Sequence, residues 1–175
     1  MIRRLCLILV LLAFHPPLFA QDTGGALSEA EVEQLRDTAQ APPERVQNYI
    51  KFLNDRAKAI DTLFAHPRKP GREQYTHDLM EQFTSIANEL DDNLSDYDSR
   101  HEDIRKALPK LLDATESWNT ELKSPPDDET YNVSRKLALQ AIGDLRDDAN
   151  EMTTSQKAWF AAHPPRKETK GNPSE

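Results

Sequence analysis

The chain has one cysteine, Cys6, in 175 residues. It sits inside an N-terminal leader, so the chain beyond that leader has no disulfide, no thiolate metal site and no cysteine nucleophile. Glycine is scarce as well. Five scattered residues provide no Gly-rich loop to cradle a phosphate. Positive charge is in short supply: 22 Lys and Arg against 30 Asp and Glu leave a formal charge of −8. Nucleic-acid phosphates need a basic footprint, so no nucleic-acid partner is expected. Nowhere do apolar and polar residues alternate at the two-residue period of a strand.

What is present begins with Met1-Ile-Arg-Arg4, a short basic start, followed by an unbroken apolar run from Leu5 to Phe14. His15-Pro16-Pro17 and Leu18-Phe19-Ala20 follow, ending on a small residue. Basic, apolar and cleavable regions in that order mark residues 1–20 as a secretory signal peptide, with cleavage near Ala20. As a helix the apolar run spans roughly 15 Å, about half a bilayer core, which disfavours a stable membrane anchor and leaves an uncleaved leader retained as an anchor as the alternative. The expected location is therefore secreted or periplasmic, with no membrane span once the leader is gone. Residues 1–20 hold 15 of the apolar side chains and two arginines, so the remaining 155 residues keep 50 apolar ones, 16 of them Ala, and a charge of −10. That is enough apolar material for a thin helical core.

Residues 21–27 read as a flexible leader, 28–163 as one helical domain and 164–175 as a disordered polar tail. Ser28 and Glu31 have the spacing of a capping box, which opens a short leader helix. Pro42-Pro43 ends that helix and can begin the next. The second helix carries Val46, Tyr49, Ile50, Leu53, Ala57, Ile60 and Phe64 on one face. His66-Pro67-Arg68-Lys69-Pro70-Gly71 interrupts it. From Arg72 a stripe then holds one phase through Leu79, Phe83, Ile86, Leu90, Leu94, Tyr97, His101, Ile104, Leu108, Leu111, Thr115, Trp118 and Leu122. Pro109 should kink that helix. Ser124-Pro125-Pro126-Asp127 makes the next break, and a final helix carries Tyr131, Ala138, Ile142, Leu145, Ala149, Met152 and Trp159.

The fold class is therefore all-α: antiparallel helical hairpins on a long central helix, with a coiled-coil-like period. The alternative is a four-helix bundle, reached if Ser99-Arg-His-Glu102, another capping-box spacing, starts a new helix near Asp98. Pairing around the Pro67–Gly71 turn sets Leu53 opposite Ile86 and Ile50 opposite Leu90. Pairing around Pro125-Pro126 sets Leu108 opposite Ile142, Ile104 opposite Leu145 and Leu90 opposite Trp159. Trp159 should then lie close to Val46 and Ile50.

The sharpest motif lies in an acidic stretch. Asp91, Asn93, Ser95, Ser99 and Glu102 occupy oxygen-bearing positions of a twelve-residue calcium loop. The loop's turn glycine is replaced by Asp96, and the helical stripe passes through by way of Leu94 and Tyr97. A solvated acidic helix face is therefore the expectation, with no metal and no cofactor. Asp98 with His101 and Glu73 with His77 share helix faces, but the Glu-x-x-His of a di-iron bundle does not occur. Asn93-Leu-Ser95 and Asn132-Val-Ser134 match the glycosylation pattern, yet both fall on expected helices. No nucleophile elbow or comparable catalytic setting is found, so the chain is not expected to be an enzyme. The remaining expectation is an exported interaction or structural protein of the cell envelope that meets a protein partner through a helical face. A small-ligand or cation-binding helical bundle is the alternative. Tyr49, Phe52, Phe64, Tyr97, Trp118, Trp159 and Phe160 are the aromatics whose exposure bears on this.

Overall fold

A computed structural model describes residues 25–164, and they form five helices. They are α1 (Glu29–Asp37), α2 (Pro42–Ala65), α3 (Arg72–Ser99), α4 (Leu108–Lys123) and α5 (Asn132–Ala162). The chain is all-α, as its periodicity implies, and the helices pack as a bundle. The leader 1–20, residues 21–24 and the tail 165–175 lie outside the described residues.

The capping box forms as its spacing predicts. The Ser28 backbone N–H donates to Glu31 Oε2 at 2.8 Å, and the Glu31 N–H donates to Ser28 Oγ at 3.4 Å. α1 is too short to be stable alone. It is fastened to α2 by Arg56, whose guanidinium bonds the Glu31 carboxylate and, at 2.8 Å, the Ala26 carbonyl. Burial opposes a charge on Glu31, but the Arg56 and Ser28 hydrogen bonds outweigh it and hold the carboxyl below its ordinary range. Ala26 and Leu27, at the end of the expected flexible leader, pack against the core.

Four longer helices make the bundle. α2 and α3 are antiparallel neighbours, with the Tyr49 hydroxyl donating to Glu89 at 2.7 Å and Arg56 Nε to Gln82 at 3.3 Å. These bonds flank the Leu53–Ile86 and Ile50–Leu90 levels, so the expected register of this hairpin holds. α2 and α4 run parallel, joined by Lys110 to Gln47 and by Trp118 to Asn54. α3 and α5 also run parallel, joined by His77 to Ser134 and by Ser155 to Asp98. α4 and α5 are antiparallel, with Arg146 meeting Glu116. The packed pairs are thus α2–α3, α3–α5, α5–α4 and α4–α2, which leaves α3 diagonal to α4.

The long central helix does not form; the four-helix alternative does. α3 stops at Ser99 because His101 takes the left-handed conformation (φ 55°) and closes a Schellman motif. The His101 N–H donates to the Asp98 carbonyl at 3.0 Å, and the Glu102 N–H to the Tyr97 carbonyl at 2.9 Å. Gln156 of α5 then latches the following loop. Its Oε1 accepts from the Ile104 N–H at 3.2 Å and its Nε2 donates to the Glu102 carbonyl at 3.0 Å. Pro109 makes no kink, because it lies in the first turn of α4, where a missing N–H costs nothing. The apolar stripe keeps phase across the break because Ile104 and Ala107 are buried in the loop itself.

The second expected register fails. Pairing centred on Pro125 would set Glu116 opposite residue 134, but Arg146 stands there, about three helical turns further on. Residues 124–131 form the turn, and the first turn of α5 lies alongside that loop, with Arg135 donating to the Pro125 carbonyl at 2.7 Å. Ile104 accordingly meets Gln156 and not Leu145. Trp159 lies at the end of the bundle against His101, away from Val46, Ile50 and Leu90.

The core is filled by Trp118, Tyr49, Tyr131, Phe52 and Phe83, each fully buried, with Leu and Ile between them. Trp118 meets Phe83 edge to face at 5.5 Å and donates from Nε1 to Asn54 Oδ1 at 2.6 Å. Tyr97 is also buried, whereas Phe64, Trp159 and Phe160 are half-buried.

Candidate functional site

The calcium-type positions do not converge. Asp91, Asn93, Ser95 and Ser99 are spread over successive turns of α3, and Glu102 lies beyond its end. Asn93 faces α2, donating to Tyr49 at 3.3 Å and to the Glu89 carbonyl at 2.7 Å. Ser95 is exposed, and Ser99 donates to the Asp96 carbonyl at 2.8 Å. Among the described residues no three His, Cys, Asp or Glu side chains are grouped to hold a metal ion.

Asp91 faces the opposite way, into the seam between α3 and α5. Its Oδ1 is buried with no hydrogen-bond partner. Burial, then the Asp148 carboxyl, then the charges of Asp148, Asp144 and Asp92 push the Asp91 carboxyl up from 3.8 to about 6. The parallel pairing of α3 and α5 sets these acids side by side. Further along α5 the same side carries Leu137, seven residues before Asp144 and half exposed at 51%, and Val133, exposed at 71%.

The paired histidines have separate roles. His77 Nδ1 shares a 2.5 Å hydrogen bond with Ser134 Oγ, and its Nε2 lies 3.3 Å from Glu81. Glu73 turns away from His77 to Arg68 and Arg72, and the Arg68 hydrogen bond above all holds its carboxyl at about 2. His101 stacks on Trp159 at 4.3 Å, and His163 stacks on the same indole at 4.4 Å. Phe160 beside them lies under the Arg105 guanidinium at 4.2 Å. His66 caps the C-terminus of α2, and His163 Nδ1 lies 3.0 Å from the Trp159 carbonyl. Asn132 anchors the α4–α5 turn, its Oδ1 accepting from the Asp128 N–H at 3.2 Å.

At the other end of the bundle the α2–α3 turn borders an open cavity of about 380 Å³, walled by Leu63, Pro67, Pro70 and Tyr75 and bordered by His66, Lys69 and Arg72. Sequence reading missed this site. Its only trace was the four basic side chains gathered within His66–Arg72 of an otherwise acidic chain. The Asp91–Asp148 pair was half visible: Asp91 drew attention for its spacing, but its partner is set by helix packing.

No family model, curated protein or solved structure matches this chain.

Proposed function

We propose that the chain is an exported helical protein of the cell envelope that works by docking a protein partner along its outer helical faces. The observation that carries this reading is the fate of its buried polar side chains. Six buried polar or charged residues are found among those described: Glu31, Ser134, Arg135 and Gln156 each bond another helix or a loop, and Thr76 and Thr115 bond carbonyls of their own helices. Apart from Asp91 Oδ1 and Arg45 Nε, which are buried without a partner, the polar chemistry left over is on the outside. The α3–α5 seam there combines carboxylates with the exposed Leu137 and Val133, and it suits a partner segment that is basic and partly apolar. No described helix is long and apolar enough to cross a membrane.

Site-specific photocrosslinking in the native host tests this. A photoreactive residue at Leu137 or Asp144 should give the same discrete product, weakened by salt, while one at Thr120 on α4 gives none. The protein recovered from the envelope fraction should begin near Gln21. Absence of a product from every position, or intact Met1 in the soluble cytoplasm, would refute the reading.

A further inference from the structure

The cavity at the α2–α3 turn has features that a docking role does not use. At about 380 Å³ it falls near the lower end of the roughly 300–1,000 Å³ typical of small-molecule sites. Its walls are mainly apolar: Leu63, the rings of Pro67 and Pro70, and the face of Tyr75, which stays 52% exposed. Two prolines and the ends of two helices hold the shape before anything binds, so little ordering cost is left for the ligand to meet.

The polar groups at its rim share one sign. Among the described residues Lys69 enters no ion pair and its ammonium makes no hydrogen bond. His66 is likewise unpaired and exposed. Arg72 stacks over Phe64 at 4.4 Å, fixed in place beside the opening. The Glu73 carboxylate is already held between Arg68 and Arg72, and Asp128 lies near Arg68. Gly71, in the left-handed conformation, opens α3 at the cavity mouth, and the first-turn Glu73 carboxylate already takes up part of that helix end. Elsewhere the chain carries net negative charge, which repels anions.

We propose that this cavity binds a small organic monoanion, a single carboxylate on a compact apolar body. The apolar portion lies among Leu63, Pro67, Pro70 and Tyr75, and the carboxylate meets the Lys69 ammonium at the rim. A multiply charged phosphate is a poorer fit, because one free ammonium beside mainly apolar walls cannot offset its desolvation. The proposal is independent of the docking reading and survives that reading's failure.

The test is a titration of the purified protein with 4-phenylbutyrate and with octanoate, followed by amide chemical shifts. Either acid should saturate a single site, with shifts confined to residues 62–75. The uncharged 4-phenylbutyramide should bind at least tenfold more weakly, as should the acid to Lys69→Glu. Tyr75→Ala should also weaken binding, and Lys157→Glu at the far end should leave it unchanged. Lys69 is exposed and unpaired, so the melting curve of Lys69→Glu should match the parent and keep the comparison valid. The proposal is overturned if neither acid saturates by about 10 mM, a range well above ordinary specific affinities. It is equally overturned if the shifts lie elsewhere, or if the amide or Lys69→Glu binds as well as the parent pair.

Discussion

Replacing Asp91 with Asn should stabilise the protein at neutral pH and do nothing in acid. In the folded chain the Asp91 carboxyl is raised from 3.8 to about 6 by burial and by the Asp148, Asp144 and Asp92 carboxylates. A folded-state value above the unfolded one means that the folded chain holds this proton more tightly. The group therefore costs nothing below about pH 4, costs more as pH rises from 4 to 6, and reaches its full penalty above that. Each pH unit of difference corresponds to about 1.4 kcal/mol, which sets a ceiling of about 3 kcal/mol for this carboxyl. The seam is open to water along one side, and screening there reduces the expected penalty to about 1–1.5 kcal/mol. Asn is neutral, close in shape, and can donate its amide N–H to Asp148. At pH 7.5 Asp91→Asn should raise the melting midpoint by about 3–5 °C, given the transition entropy of a domain of this size. At pH 4 the two proteins should melt together. Thermal unfolding followed by circular dichroism at the two pH values measures the difference. A variant less stable than the parent at pH 7.5, or equally shifted at both, would show that the Asp91 carboxylate is favourably bound and that the seam has been misread.

Three further outcomes follow from the packing. Gln156→Ala removes the partners of the Ile104 N–H and the Glu102 carbonyl, so it should cost about 1–3 kcal/mol and raise hydrogen exchange at Ile104 first. Trp118→Ala should cost about 3–5 kcal/mol in denaturant unfolding, since the indole is fully buried against Phe83. Calcium at millimolar concentration should leave the melting temperature unchanged. A specific site filled to a hundredfold over Kd would add about 2.7 kcal/mol, and a rise abolished by Glu102→Gln would restore the calcium loop.

The α2–α3 hairpin was legible because His66–Gly71 holds two prolines and a glycine, which fix both helix ends and leave little freedom in register. The end of α3 was not. A helix that stops in a Schellman motif usually has Gly at the left-handed position, and here His101 fills it. The buried Ile104 and Ala107 then continue a helical spacing through residues that are not helical. Capping-box spacing at Ser99 and Glu102 pointed to a boundary at the right place for a different reason: the residues there end α3 and do not cap a new helix. The α4–α5 register was misjudged because Pro125-Pro126 marks where α4 ends but not how far the turn runs. Arg135, reaching back to the Pro125 carbonyl, shows that the first turn of α5 packs alongside the loop. Asp91 and Asp148 are far apart in the chain and meet only because two non-consecutive helices run parallel. The cavity was hidden for a related reason, since a turn read as a helix breaker carries no information about the space it borders.

α3 and α5 lie side by side and parallel, which places Asp98 by Ser155 and moves Trp159 away from Leu90. Paired cysteines in a Cys6→Ser background test it directly. After mild oxidation, Asp98→Cys with Ser155→Cys should form an intramolecular disulfide, because their side chains already touch at 3.4 Å. Leu90→Cys with Trp159→Cys should remain reduced, being separated by about three helical turns along the seam. A disulfide between positions 90 and 159, with none between 98 and 155, would contradict the parallel seam and return the chain to hairpins folded on one long helix.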